Sequence, residues 1–337
     1  VIDLLVAGGG PAGLATAIHG ALAGLRVVVV EPRPAPVDKA CGEGLMPAGV
    51  TALARLGITP AGRPLAGIRY LDARHAVEAR FRAGPGLGVR RTTLHAALYE
   101  RASALGVEHR VGRVGDVRQD AHGVAAAGLT AHWLVAADGL HSPIRAALGP
   151  ARPDRRARRY GLRRHFAVAP WTDFVEVYWS PHGEAYVTPV GPDLVGVAVL
   201  GPRGRPYDDH LAAFPALRAR LAGAAAGDVR GAGPLRRRVR TRVAGRVLLV
   251  GDAAGYTDAL TGEGIALALA SARALVAALV TGRPERYEAD WRRLSRRHRL
   301  LTETLLTARA HPHTARLIVP AAHRLPAAFN TIVNALA

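Results

Sequence analysis

Six residues near the start, Gly8-Gly9-Gly10-Pro11-Ala12-Gly13, have the G-x-G-x-x-G spacing that receives a pyrophosphate. Gly8 permits the tight turn, Gly10 lets backbone amides approach phosphate, and Gly13 lets a helix pack closely on a strand. The phosphates would sit at the positive end of that helix. Glu31 follows with Pro32 and Arg33 at the end of a valine-rich run. A carboxylate there can bind the ribose hydroxyls of an AMP half and disfavours a 2′-phosphate. This block alone specifies a dinucleotide and leaves NAD and FAD open.

Further groups able to do chemistry lie along the chain. Cys41, the only cysteine, sits in Lys39-Ala40-Cys41-Gly42-Glu43-Gly44. Arg91 stands at the head of a helical stretch. Asp138 and Gly139 end an apolar run, with Ser142 and Arg145 close behind, and Gly251 and Asp252 end another. The segment Leu260-Thr261-Gly262-Glu263-Gly264-Ile265 leads into a long apolar helix, for which Thr261 is the expected N-cap. A helix start aimed at a flat ring would stabilise negative charge on it. Glu43, His165 and Tyr186 are the candidate catalytic residues, and Glu184 adds a polar group on the same segment as Tyr186. A lone cysteine makes no internal disulfide and no cysteine-based metal site. His311 and His313 flank Pro312 and are expected at the surface, so no metal is expected.

The elements that must position these groups follow from periodicity. A strand over 1–7, a helix over 11–24 and a strand over 26–31 form a βαβ unit. Helices are expected over 47–57 and 92–106, a strand pair over 67–81, and short strands over 107–137. Between about 159 and 242, β-type runs separated by glycine and proline suggest a sheet forming one wall of a pocket. From residue 261 onward the pattern is helical, with breaks expected at Gly282, Pro284, Pro312, Pro320 and Pro326. The fold class is therefore α/β, with a Rossmann-like nucleotide-binding domain, an inserted mixed or antiparallel sheet domain for substrate, and C-terminal helices. The expected division is 1–66, 88–155 and 243–282 for the first domain, 67–87 and 156–242 for the second, and 283–337 for the helices.

The second and third blocks resemble the Asp-Gly and Gly-Asp motifs of flavoprotein hydroxylases. Together with the first they resemble the family of p-hydroxybenzoate-hydroxylase-type (group A) monooxygenases and geranylgeranyl reductases. The resemblance implies a tightly bound FAD in a domain of the glutathione-reductase type. It also implies that Asp252 contacts the ribitol hydroxyls, that Arg91 reaches over the phosphates, and that Cys41 and Gly42 lie beside the isoalloxazine. The Cys-Gly segment and residues 260–265 are similar to the reductase branch. Where that branch carries P-x-x-Y-x-W-x-F-P, this chain has Pro181, Glu184, Tyr186, Thr188 and Pro189, so the aromatic triplet has become Glu, Tyr and Thr. That substitution removes an aromatic wall for a polyprenyl chain. The expectation is accordingly a hydroxylase that uses NAD(P)H transiently and O2 on an aromatic or polyketide-like molecule, in secondary metabolism. The alternative is a reductase or dehydrogenase of an isoprenoid, lipid-like or carrier-bound substrate.

Composition bounds the partners. The chain has 337 residues, 49% of them hydrophobic, and a formal net charge of +19. Lys39 is the only lysine among 45 Lys and Arg. The arginine runs at 155–159, 236–242 and 292–299 are not interleaved with aromatics that could stack on bases, so no nucleic acid is expected. A basic field would instead steer an anionic cofactor, substrate or acidic carrier protein. No stretch is long and apolar enough to span a bilayer, and no leader is evident; a cytoplasmic location is expected.

Overall fold

The computed structural model describes residues 1–149, 151–152 and 158–337. The domain boundary expected at 155–156 and residues 155–157 of the first arginine run lie outside the described residues.

Four consecutive valines make Val27–Glu31 a strand that is buried on both faces, as a central parallel strand requires. It lies in a sheet ordered Val243–Ala244, Val247–Leu249, Leu129–Ala136, Ile2–Ala7, Val27–Glu31 and Glu108–Val111. All pairs from Val247–Leu249 to Glu108–Val111 are parallel. Helix Pro11–Leu22 packs against both Arg91–Ala104 and Gly264–Val280. Three distant stretches of chain thus end side by side, at the carboxyl ends of Ile2–Ala7, Leu129–Ala136 and Val247–Leu249. Ligands of open parallel sheets bind at that edge.

A second, mixed sheet runs Ala225–Ala226, Tyr160–Ala167, Leu194–Gly201, Gly183–Gly191, Phe174–Ser180, Gly67–Leu71 and Ala76–Arg80. Its pairs are antiparallel except Phe174–Ser180 with Gly67–Leu71. Strand alternation splits its side chains between two cores. Tyr178, Ala185, Val187 and Val197 pack with Tyr207, Leu211, Phe214 and Leu217 of two short helices and the turn between them. On the opposite face Tyr70, Val177, Trp179, Tyr186 and Leu200 pack with Leu260, Val319, Phe329 and Val333. A small sheet of Gly44–Leu45, Gly86–Gly88 and Arg63–Leu65 sits beside this second face.

The chain continues as Gly264–Val280, Arg286–Ala310, Pro312–Ala315, Ile318–Arg324 and Pro326–Leu336, all helical. Gly282, at φ 66°, follows the first of these. Pro312 and Pro326 each begin a helix. Pro320 does not interrupt one: it falls in the first turn of Ile318–Arg324, where an N–H needs no intrahelical acceptor.

Candidate flavin and substrate site

A cavity of about 580 Å³ runs between the two sheets, from Gly10 and Arg91 at one end to Ile332 and Leu336 at the other. Gly10, Pro11, Ala12, Gly139, Gly251 and Asp252 line its first part. Gly8 and Gly13 shape this cradle without lining it. A Cβ on Gly13 would fall 1.9 Å from the Gly8 carbonyl oxygen, and one on Gly8, at φ 108°, 2.5 Å from that of Ala137. Both positions therefore demand glycine.

Glu31 stands behind the turn. Its Oε2 accepts from the Gly9 N–H at 2.9 Å, and its Oε1 from the Arg33 guanidinium at 2.7 Å. Burial alone would raise this carboxyl, but those bonds hold it below its ordinary value. Arg33 thus orients Glu31, with Pro32 between them. Arg91 lines the cavity beside Gly10, 3.9 Å from where a Gly10 Cβ would lie, and its buried Nε has no partner among the described residues. A phosphate oxygen would satisfy such a donor. The glycine cradle, the unpartnered Arg91 nitrogen and the cavity-lining Asp252 fit a dinucleotide whose pyrophosphate lies at the start of helix Pro11–Leu22.

The second block braces the third. Ser142 Oγ caps the Arg145 N–H at 2.9 Å. The Arg145 guanidinium donates to the carbonyls of Leu140 at 2.8 Å and Ala253 at 3.1 Å. Asp138 turns its carboxylate to the Ile144 N–H at 3.3 Å, and burial raises its pKa. Its side chain holds the turn and does not line the cavity, unlike Gly139 next to it. Lys39 is a residue that motif reasoning missed. Its Nζ lies 2.8 Å from where a Gly139 Cβ would be, and burial lowers its pKa against the pull of Asp252. Being the only lysine gave no signal of this placement.

The expected cap at Thr261 is corrected. The helix begins at Gly264 with Glu263 as N-cap residue, and neither side chain caps it. Thr261 Oγ1 is instead within bonding distance of His298 Nδ1 at 3.1 Å and Thr302 Oγ1 at 3.0 Å. Glu263, expected at the cofactor, turns its buried carboxylate to the same His298 nitrogen at 2.9 Å. Burial raises its pKa, and His298 opposes that. Thr261, Gly262, Gly264 and Ile265 line the cavity; Glu263 does not.

Cys41, Gly42 and Glu43 line the middle of the cavity. Burial pushes the Cys41 thiol up, with Arg91 opposing, so it is a thiol rather than a thiolate. Glu43 has φ 60°, and its Oε1 accepts from the Arg91 N–H at 2.8 Å. Its Oε2 lies 2.6 Å from His165 Nε2. Arg163 Nη1 lies 3.0 Å from His165 Nδ1 and can only donate, so Nδ1 accepts and Nε2 carries the proton towards Glu43. Asp38 pairs with Arg163 in turn. The structure therefore brings two of the three catalytic candidates together, but His165 stands behind Glu43 rather than on the cavity wall. Tyr186 is on the wall, and its hydroxyl donates to the Leu260 carbonyl at 2.9 Å.

Beyond Glu43 the wall is apolar: Leu65, Ile68, Phe81, Val175, Val177, Leu200, Leu235, Leu305, Ile318 and Phe329. Two phenols, Tyr70 and Tyr256, also line the cavity, and burial raises the pKa of each. Sequence alternation could have flagged Tyr70, and proximity to Asp252 could have flagged Tyr256. Glu184, expected as a polar group for substrate, is fully buried, and both its oxygens are taken by Arg159 and Arg309.

Comparison with known proteins agrees with this geometry. The FAD binding domain family model matches residues 2–290. The menaquinone reductase of Mycolicibacterium smegmatis is 30% identical, over 88% of this chain and 80% of its own length. The rifampicin monooxygenase of Streptomyces venezuelae is 33% identical over 47% of this chain, but only 36% of its own length is spanned. Among solved structures, the flavin-dependent halogenase CmlS superposes with a TM-score of 0.80 at 22% identity, covering 91% of this chain and 64% of that one. The Diels-Alderase PyrE3 does so with a TM-score of 0.79 at 23% identity, covering 100% and 80%. At such identities these two establish the fold alone. With the family model spanning most of the chain and a cavity that fits its cofactor, the chain belongs to the FAD binding domain family of p-hydroxybenzoate-hydroxylase-type flavoproteins and is an FAD-dependent oxidoreductase.

Proposed function

We propose that this flavoprotein takes electrons from NAD(P)H and reduces a double bond or quinone within an elongated apolar molecule of isoprenoid or polyketide type. One observation carries this reading. Among the described residues the charged side chains on the cavity wall are Lys39, Glu43, Arg91, Arg163 and Asp252, and most of the rest of the wall is hydrocarbon and phenol, while Glu184 and the Tyr186 hydroxyl are bound within the protein. Aromatic surface missing from the 184–188 positions is supplied by Tyr70, Phe81 and Phe329 from other elements. The relation to a menaquinone reductase over most of both chains supports the same substrate class.

Bound FAD would supply two-electron transfer between NAD(P)H and the substrate. Gly10, Arg91 and Asp252 would hold it, with Glu31 behind the turn as the carboxylate for the ribose of its AMP half. The C-terminal helices cover much of the substrate part with apolar side chains. Raised by burial, the Tyr70 and Tyr256 phenols remain protonated and can donate to a quinone or carbonyl oxygen. Glu43, with its oxygens held by the Arg91 N–H and by His165 Nε2, stands at the junction of the flavin and substrate parts, where a proton can be passed. Supply of NAD(P)H accords with a cytoplasmic enzyme. Residues 1–66, 88–155 and 243–282 form the flavin-binding unit in this reading, and 67–87 with 156–242 the substrate unit.

A hydroxylase acting on the same apolar class is the second reading, favoured by the rifampicin monooxygenase relation. The test is to incubate the FAD-loaded protein with NADH or NADPH and prenylated quinones of increasing chain length, first without oxygen and then with labelled oxygen. A product two hydrogens heavier, formed anaerobically, is expected. KM should fall roughly fourfold for each buried methylene until the cavity is filled, at ~0.8 kcal/mol each. Incorporation of labelled oxygen would establish the hydroxylase instead. Turnover of small phenols with no preference for apolar chains would overturn the substrate assignment.

A further inference from the structure

The cavity opens where its wall is also surface. Ala321, Leu325, Ala328 and Ile332 all line it and are all exposed, Leu325 by 63% and Ile332 by 45%. Leu317, which is not part of the lining, is 58% exposed on the same helical segment. A contiguous apolar rim around an apolar chamber is a contact surface rather than scattered surface hydrophobicity.

The formal side-chain charge carried by the segment itself has one sign. Residues 304–337 contain Arg309, Arg316, Arg324 and three histidines, and no Asp or Glu. Arg309 is spent on Glu184, while Arg316 and Arg324 are exposed directly beside Leu317 and Leu325. Two more exposed arginines meet the last helix: the Arg82 N–H donates to Asn334 Oδ1 at 2.8 Å, and the Arg297 guanidinium to the Ala335 carbonyl at 3.0 Å. The helix Pro326–Leu336 itself is apolar on one side, with Phe329 and Val333 buried. Exposed Leu and Ile next to arginines is the composition of a surface that lies in a lipid headgroup layer. Each such arginine gains from an anionic leaflet, and the gain is screened by salt.

We propose that the helices of residues 316–336 dock on an anionic lipid bilayer, with Leu317, Leu325 and Ile332 in the headgroup layer and the arginines on lipid phosphates. The chamber mouth then faces the membrane, and an apolar substrate enters without crossing water. The entry route rests on the apolar-substrate reading given above; the docking does not. No helix among the described residues is long and apolar enough to cross a membrane, so the contact is with the surface.

The test is sedimentation of FAD-loaded protein with vesicles of phosphatidylcholine alone and of phosphatidylcholine with phosphatidylglycerol. Binding to the anionic vesicles should exceed binding to neutral ones by roughly tenfold or more, and should weaken in raised salt. The double variant Arg316→Glu/Arg324→Glu and the single variant Leu317→Glu should each lose roughly tenfold or more while keeping flavin content and melting temperature. Equal sedimentation with both vesicle types, or variants that bind like the parent, would overturn the proposal. So would a concentration-dependent dimer abolished by these variants, since a second copy would then cover the rim. Loss of activity towards every apolar substrate, with vesicle binding intact, would sink the substrate reading and leave the docking standing.

Discussion

Glu43 holds a φ of 60°, which a side chain adopts at a cost of about 1–3 kcal/mol, and the surroundings compensate for it. Its carbonyl accepts from the Val89 N–H at 2.9 Å, and each carboxylate oxygen has a partner from a different element. Space for that carboxylate exists because residue 196 is glycine: a Cβ there would stand 2.8 Å from Glu43 Oε2. Gly196→Ala should therefore displace the oxygen and break the His165 contact. With flavin retained, turnover is expected to fall at least tenfold, and Glu43→Gln should cost roughly a hundredfold, the range of a lost proton-transfer group. Unchanged turnover in both variants would reduce Glu43 to a brace for Arg91. Asp252 makes a different residue-scale prediction: Asp252→Ala should raise the FAD dissociation constant by roughly ten- to a hundredfold, as for a lost bond to a charged acceptor. Flavin fluorescence on titration measures it. The two residues were not equally legible. Asp252 follows a buried strand in a short local pattern. His165 is 122 positions from Glu43, and nothing local marks the one as the other's partner.

Helix Pro11–Leu22 carries the nucleotide end and, near its other end, the half-buried His19, close to Arg273 of helix Gly264–Val280. Burial first, and Arg273 second, lower the His19 pKa to about 4. An unfolded histidine titrates near ~6.5. Between those values the unfolded chain binds the proton and the folded one does not, so stability rises with pH there and levels off above about 6.5. Acidification from about pH 7 to about pH 5 should lower the urea midpoint, and His19→Gln should make that drop smaller. An identical drop in the variant would place the acid sensitivity elsewhere, as in His95 or His109, which burial lowers too. At this scale the strands and helices were legible because periodicity is local: the βαβ unit, the strand pair of 67–81 and the long helices all follow from spacing. The junction at Thr261 was not. Its local pattern is that of an N-cap, but His298 and Thr302, from a helix that begins 25 residues later, take its hydroxyl.

Across the whole molecule, the C-terminal helices close the cavity only if they stay against the second sheet, and one buried carboxylate adds an ionic tie to the apolar packing of that joint. Glu184, on strand Gly183–Gly191, pairs with Arg159 of the sheet side and with Arg309 near the end of helix Arg286–Ala310. Asp258 lies 3.6 Å from Arg159, and burial raises its pKa against that arginine's pull. Periodicity placed Glu184 on the cavity sheet but could not tell which arginine, 125 positions away in a chain rich in them, would claim it. Removing the carboxylate leaves the largely buried Arg309 guanidinium without its ion-pair partner and Arg159 with only Asp258, a loss of up to about 3–5 kcal/mol. That cost falls at the joint rather than on the flavin cradle, whose glycines and Asp252 belong to the other sheet. Glu184→Ala should therefore lower the melting temperature and expose the arginine-rich helices after residue 285 to trypsin well before the flavin is released. Replacing Glu184 and Arg309 together with apolar residues of similar size should recover much of the loss, since burying an ion pair itself carries a desolvation cost. Flavin release and tryptic cleavage that begin together in Glu184→Ala would show the two sheets unfolding as one unit, with no separable closure by the helices.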